Sequence, residues 1–141
     1  MTRIAGLALV ALLLVSCGAD LPKPIPKAVA LKELPKAAEV AFIEVMAGAD
    51  SPVVHLENPA TIAAALGFLE HEVTGWNAPT DTAISANGVF AAFVRKSDRD
   101  PCAFFIDADL IVVSGPTSGG EAYASPETIR RFKAILGIAA H

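Results

Sequence analysis

The side chains able to do chemistry are few and loosely spaced. There are two cysteines, Cys17 and Cys102, and three histidines, His55, His71 and His141. His71 stands between Glu70 and Glu72, a trio of types that bind metal or carry protons. Helical zinc ligands come three or four residues apart, so three consecutive side chains diverge around the axis. No His-Glu-x-x-His arrangement occurs. A metal site would need His55 and His71 to meet across the fold, and a solvated helix end is the simpler reading of His71. Asp107 and Asp109 share a face if the chain is extended there, where paired carboxylates suit acid–base or metal work. Such pairs also flank turns, which is the reading adopted here. No catalytic residue, metal or cofactor is assigned.

Trp76 is the sole tryptophan, and it lies in the longest loop, "TGWNAPTDTAISAN", residues 74 to 87. A lone Trp after a helix usually folds over the core, its indole N–H finding a carbonyl. It can also line a pocket or anchor a partner. Loops held by a rigid scaffold carry function, so Trp76, Asn77 and Asp81 are the candidate binding loop. The segment "SGPTSGG" is glycine-rich but lacks the Gly-Lys-Ser/Thr ending of a phosphate loop, and strand pattern follows it. Cys102 opens the apolar run Cys102–Ile106, where a small buried thiol fits.

The elements that must position these residues follow from periodicity. Glu39 to Ala47 reads as strand, Gly48 to Pro52 as turn, and Val53 to Leu56 as a second strand. Asn58-Pro59 starts a helix whose Ile62, Leu66, Leu69 and Val73 share a face, with Gly75 as the stop. Strands follow at Gly88–Arg95, Cys102–Ile106, Leu110–Val113 and Glu121–Ala124. Ser125-Pro126-Glu127 opens a second helix with Ile129, Phe132, Leu136 and Ala139 on one face. Two amphipathic helices and five or six antiparallel strands predict an α+β two-layer sandwich, both helices on one face.

The N-terminus carries its own signal. Arg3 precedes an apolar run from Ile4 to Val15, about 18 Å as a helix and too short for a hydrocarbon core of roughly 30 Å. A charged start, a short apolar centre and a small residue at its end make a secretory signal. Within it, Leu14-Val15-Ser16-Cys17 resembles the lipobox of bacterial lipoproteins. The resemblance implies a diacylglycerol thioether on Cys17 Sγ, cleavage before Cys17, and a membrane attachment held by several acyl chains. With Gly18 rather than Asp after the cysteine, it also implies the outer membrane, facing the periplasm. The chain then divides into a signal peptide (1–16), a lipidated cysteine with a Pro/Lys-rich tether (17–38), and one domain (39–141). Pro22, Pro24, Pro26 and Pro35 stiffen that tether.

From Glu39 onward six basic residues face thirteen acidic ones. Such a domain does not suit nucleic acid and leaves room for a cationic envelope partner. Three functions remain in play. The first is a non-catalytic, protein-binding or envelope-assembly module. The second is an inhibitor of a cationic hydrolase, which requires acids clustered around one protruding loop. The third is a small-ligand binder or enzyme with a pocket beneath the Trp76 loop.

Overall fold

Alternating apolar residues build the sheet. In the computed structural model, residues 34–80, 85–97, 100–114 and 119–139 are described. The strands are β1 (Val40–Met46), β2 (Val53–Leu56), β3 (Val89–Arg95), β4 (Cys102–Ile106), β5 (Leu110–Ser114) and β6 (Gly120–Tyr123). The helices are α1 (Pro59–Gly67) and α2 (Pro126–Ile135). The strands form one six-stranded sheet in the order β2-β1-β3-β4-β5-β6, every neighbouring pair antiparallel. The α+β class, with two helices and an antiparallel sheet, is therefore as the sequence predicts.

Register fixes which side chains share a face. Ile43 stands opposite Phe93, Phe93 opposite Cys102, Phe104 opposite Val113, and Ile111 opposite Ala122. All of these are buried in one core with Ile62, Leu66 and Leu69 from the first helical segment and Ile129, Phe132 and Leu136 from the second. This is the inner face. Phe132 is fully buried and stacks on Phe68 at 4.8 Å and on Phe104 at 5.6 Å between ring centroids. Strict alternation would send Val40 to the face of Phe42, opposite to Ile43. A register shift between Val40 and Phe42 instead lets Val40 join the core, because the extra residue of a bulge reverses the parity.

Helix ends follow the chemistry of their caps. Asn58 Oδ1 accepts the Ala60 N–H at 2.9 Å and Ser125 Oγ accepts the Thr128 N–H at 3.2 Å, each with proline just inside the helix. α1 is shorter than its apolar pattern and passes into a π-helical turn, Phe68–Glu72. The wider turn lets the adjacent Phe68 and Leu69 both point inward. The segment ends at Glu72, where Val73 turns extended, two residues ahead of the expected stop at Gly75, which has φ +74°. After α2, Gly137 has φ +72°. Its N–H reaches the Ala134 carbonyl at 3.1 Å, while the Ile138 N–H reaches that of Lys133 at 2.9 Å. This is a Schellman closure. It carries Ile138 against the core and leaves Ala139 exposed, so the expected place of Ala139 on the buried face is corrected.

The packed domain also begins earlier than residue 39. Leu34 packs against the core, Pro35 is buried, and Lys36 N–H donates to Glu39 Oε2 at 3.0 Å ahead of β1. An apolar pair in a tether otherwise rich in lysine is drawn to the core because burial stabilises it. Ala37–Glu39 form a short 3-10 helix, while residues 17–33 of the tether, with Cys17, and the lipobox lie outside the described residues. Every described core residue lies between Leu34 and Ile138, so a chain beginning at Gly18 keeps all of these contacts. Among the described residues no helix is long and apolar enough to cross a membrane.

Candidate binding groove

α2 crosses the inner face without covering all of it. β2 extends the sheet past β1, and its Val54 and Leu56 stand opposite Val45 and Ile43 on the helix side. No helix lies over them, and Val54 is 49% exposed. The space between this end of the sheet and the C-terminal half of α2 is a groove of about 760 Å³. Its floor is Val45, Val54, Leu56, Val89, Ile129 and Leu136. Arg130 and Lys133, one turn apart on α2, border it. Among the described residues neither makes an ion pair, and none of the lining residues carries a carboxylate.

Arg131 serves a different purpose. Its Nη1 lies 3.3 Å from Glu72 Oε2, and its guanidinium sits 5.7 Å from the Phe68 ring centroid. It ties α2 to the π-helical turn, and the two flanking cations are left to the groove.

The residues singled out from sequence lie elsewhere. Trp76 is buried within the core, 9% exposed, away from the lining of the groove. Its packing reading holds; residues 81–84 of the same loop lie outside the described ones, and the groove is a separate place in the fold. Asn77 extends the sheet edge by an isolated bridge to Glu121, with N–H···O distances of 2.8 and 2.9 Å. Thr80 closes the clasp, donating from its N–H (3.2 Å) and Oγ1 (3.0 Å) to the Glu121 carboxylate. Among the described residues Glu121 is the buried charged one, at what the sequence reads as an ordinary strand position. The loop is thus long because part of it acts as a strand against β6. Asp81 lies outside the described residues.

His71 is exposed and 3.6 Å from Glu70, on the π-helical turn. His55 lies on the opposite sheet face from the groove, 3.3 Å from Glu44 and stacked on Phe42 at 4.3 Å. The structure does not bring the two histidines together. Asp107 and Asp109 sit in the β4–β5 turn rather than on an extended strand. Asp107 Oδ1 accepts the Ala108 N–H at 2.8 Å, and the Asp109 carbonyl accepts the Ala124 N–H at 2.9 Å. Cys102 is buried. Among the described residues no three His, Cys, Asp or Glu side chains gather in a way that could hold a metal. The described acids come from β1, the turns, the π-helical segment, β6 and α2, not from one protruding loop.

The sequence signal that could have found the groove is weak. Arg130 and Lys133 read as the polar face of an amphipathic helix, and Val53-Val54 as a plain strand. Only the pairing of β2 with β1, far from α2 in sequence, brings them near each other.

No protein-family model, curated protein or solved structure matches this chain.

Proposed function

We propose that this protein is a lipid-anchored, non-catalytic binding module of the bacterial envelope, held by Cys17 at the outer membrane and facing the periplasm. The groove between β2 and α2 is its binding surface. The observation that carries this reading is the groove itself, about 760 Å³, within the range of small-molecule sites, and edged by cations in an otherwise acidic domain. Lipid attachment fixes the position of the domain, and the Pro/Lys-rich tether sets its reach. Neighbouring lysines favour an anionic membrane surface by about 1 kcal/mol each. The spread of the described acids over several elements favours this reading over an inhibitor that uses a single acidic loop.

The test uses the full chain in its own envelope. A photo-crosslinking side chain is placed at Val54 in the groove or, as control, at exposed Ala103 on the opposite sheet face. Adducts from position 54 and none from position 103 are expected. Adducts from position 103 alone, or from neither, remove the groove from the reading. In parallel, the mass of the N-terminal peptide should show the thioether-linked lipid on Cys17, and Cys17→Ala should abolish it. An unmodified Cys17 would refute the anchoring.

A further inference from the structure

The lining of the groove narrows the chemistry of its occupant. Around it the domain is strongly acidic, yet among the described residues the lining offers two cations without ion pairs and no carboxylate. Apolar burial alone would accept any greasy molecule, at roughly 25 cal/mol per Å² removed from water. Arg130 and Lys133 add a condition, because a cation beside a low-dielectric floor rewards an anion strongly and repels another cation. An arginine with a lysine one turn away suits a carboxylate, the fork giving paired donors and the ammonium a third direction. The polar side chain of Ser51, also in the lining, is spent on the Ala47 carbonyl at 2.8 Å. Two features thus face the same space, an aliphatic floor and a cationic border.

We infer that the groove takes a single-chain amphiphile with a carboxylate head, a free fatty acid in chemical class. The acyl chain lies on Val54, Leu56, Val45 and Leu136, and the carboxylate meets Arg130 and Lys133. This rests on the groove being the binding surface, and it adds the class of ligand. The side of the sheet away from the helices also carries a hollow, about 300 Å³, with Met46, Phe90, Phe105 and Val112 in its lining. Among the described residues that hollow has Glu44 in its lining and no cation, so it does not meet the second condition.

The probes are decanoate, 1-decanol and decyltrimethylammonium, which share a chain and differ in head charge. Each is titrated calorimetrically, below micelle formation, into the chain from Gly18. Decanoate should bind one-to-one and at least tenfold more tightly than the alcohol, with the gap narrowing as salt rises; the ammonium probe should bind weakest. Arg130→Gln with Lys133→Gln should erase the gap while leaving decanol binding in place. Val54→Trp, which fills the groove, should weaken both. Thermal melts confirm that each variant is folded. Equal affinities for the three probes, absence of saturable binding, or decanoate binding untouched by either set of changes would each overturn the proposal. If decanoate fails while adducts still form from position 54, the ligand class falls and the groove remains a binding surface. If both fail, the functional reading falls with it.

Discussion

The two faces of the sheet are made of similarly apolar side chains, but only one is covered. On the inner face Ile43, Phe93, Cys102, Phe104 and Ile111 disappear beneath the helices. On the outer face Met46, Phe90, Ala92 and Val112 stay half-buried, and Val53 is exposed. There the sheet protects itself. Phe90 and Phe105 pack ring against ring at 4.8 Å, and Phe105 lies over Gly88 so closely that it is almost fully buried. The groove is a stretch of the inner face treated like the outer one, apolar and open. What separates it from the outer hollow is charge, since Arg130 and Lys133 border the first and Glu44, already 3.3 Å from His55, the second. Hydrophobicity locates two uncovered surfaces here, and electrostatics distinguishes between them.

The largest effect should come from the face that is covered. Phe132→Ala removes the ring that joins Phe68 to Phe104 and should cost about 3–5 kcal/mol, read as a shift in the urea midpoint. Phe90→Ala, on the open face, should cost clearly less, about half, because part of that ring is already in water. Equal losses would mean that the outer face is packed as a core and the comparison is wrong.

Gly88 tests how the outer face covers itself. A Cβ at this position would sit 2.2 Å from Phe105 Cζ and 2.9 Å from the Ile106 carbonyl oxygen. Gly88→Ala should therefore destabilise by about 1–3 kcal/mol through overpacking. Adding Phe105→Leu should recover part of that loss, since the ring is the nearer obstacle, but the carbonyl contact remains. Absence of recovery would place the whole penalty on the backbone.

Most of this architecture could be read from the chain. The alternation at Val89–Arg95 and Cys102–Ile106 marks strands within a residue of their observed ends, and Asn58-Pro59 and Ser125-Pro126 mark both helix starts. Local chemistry controls these features, so local sequence reports them. The bulge beside Val40, the π-helical turn and the burial of Glu121 were not readable, because each depends on a neighbour distant in sequence. The groove belongs to this second group. His71, Asp107 and Asp109 stood out by residue type, but type without convergence does not make a site.

The edge beside β6 gives a smaller test. Thr80→Val removes the hydroxyl that donates to buried Glu121 and should cost about 1–2 kcal/mol. Glu121→Gln keeps an acceptor for the Thr80 N–H and should cost less than Glu121→Ala. Hydrogen exchange should rise at Asn77 and Glu121, whose amides form the bridge, and remain unchanged in β3. A rise spread through the sheet would show that the clasp supports the whole core and not one edge.

The smallest effect on stability is expected at the groove. Arg131→Gln gives up the pair with Glu72 and the contact over Phe68, together about 0.5–1 kcal/mol at a half-exposed site. Arg130→Gln and Lys133→Gln break no ion pair among the described residues, so each should stay within about 0.5 kcal/mol of the parent. Helix propensity hardly differs among Arg, Lys and Gln, and the loss of Lys133 from the last turn of α2, at the negative end of the helix dipole, costs about 0.3–0.5 kcal/mol at most at a solvated site. Three neighbouring cations on one helix would then separate cleanly, with Arg131 holding the fold and the other two dispensable to it. If Arg130→Gln or Lys133→Gln proved as costly as Arg131→Gln, the charges at the groove would be structural, and the contrast with the outer hollow would lose its functional meaning. If they are free, their place beside an aliphatic floor is explained by what they can bind, because the folded chain gains little from them.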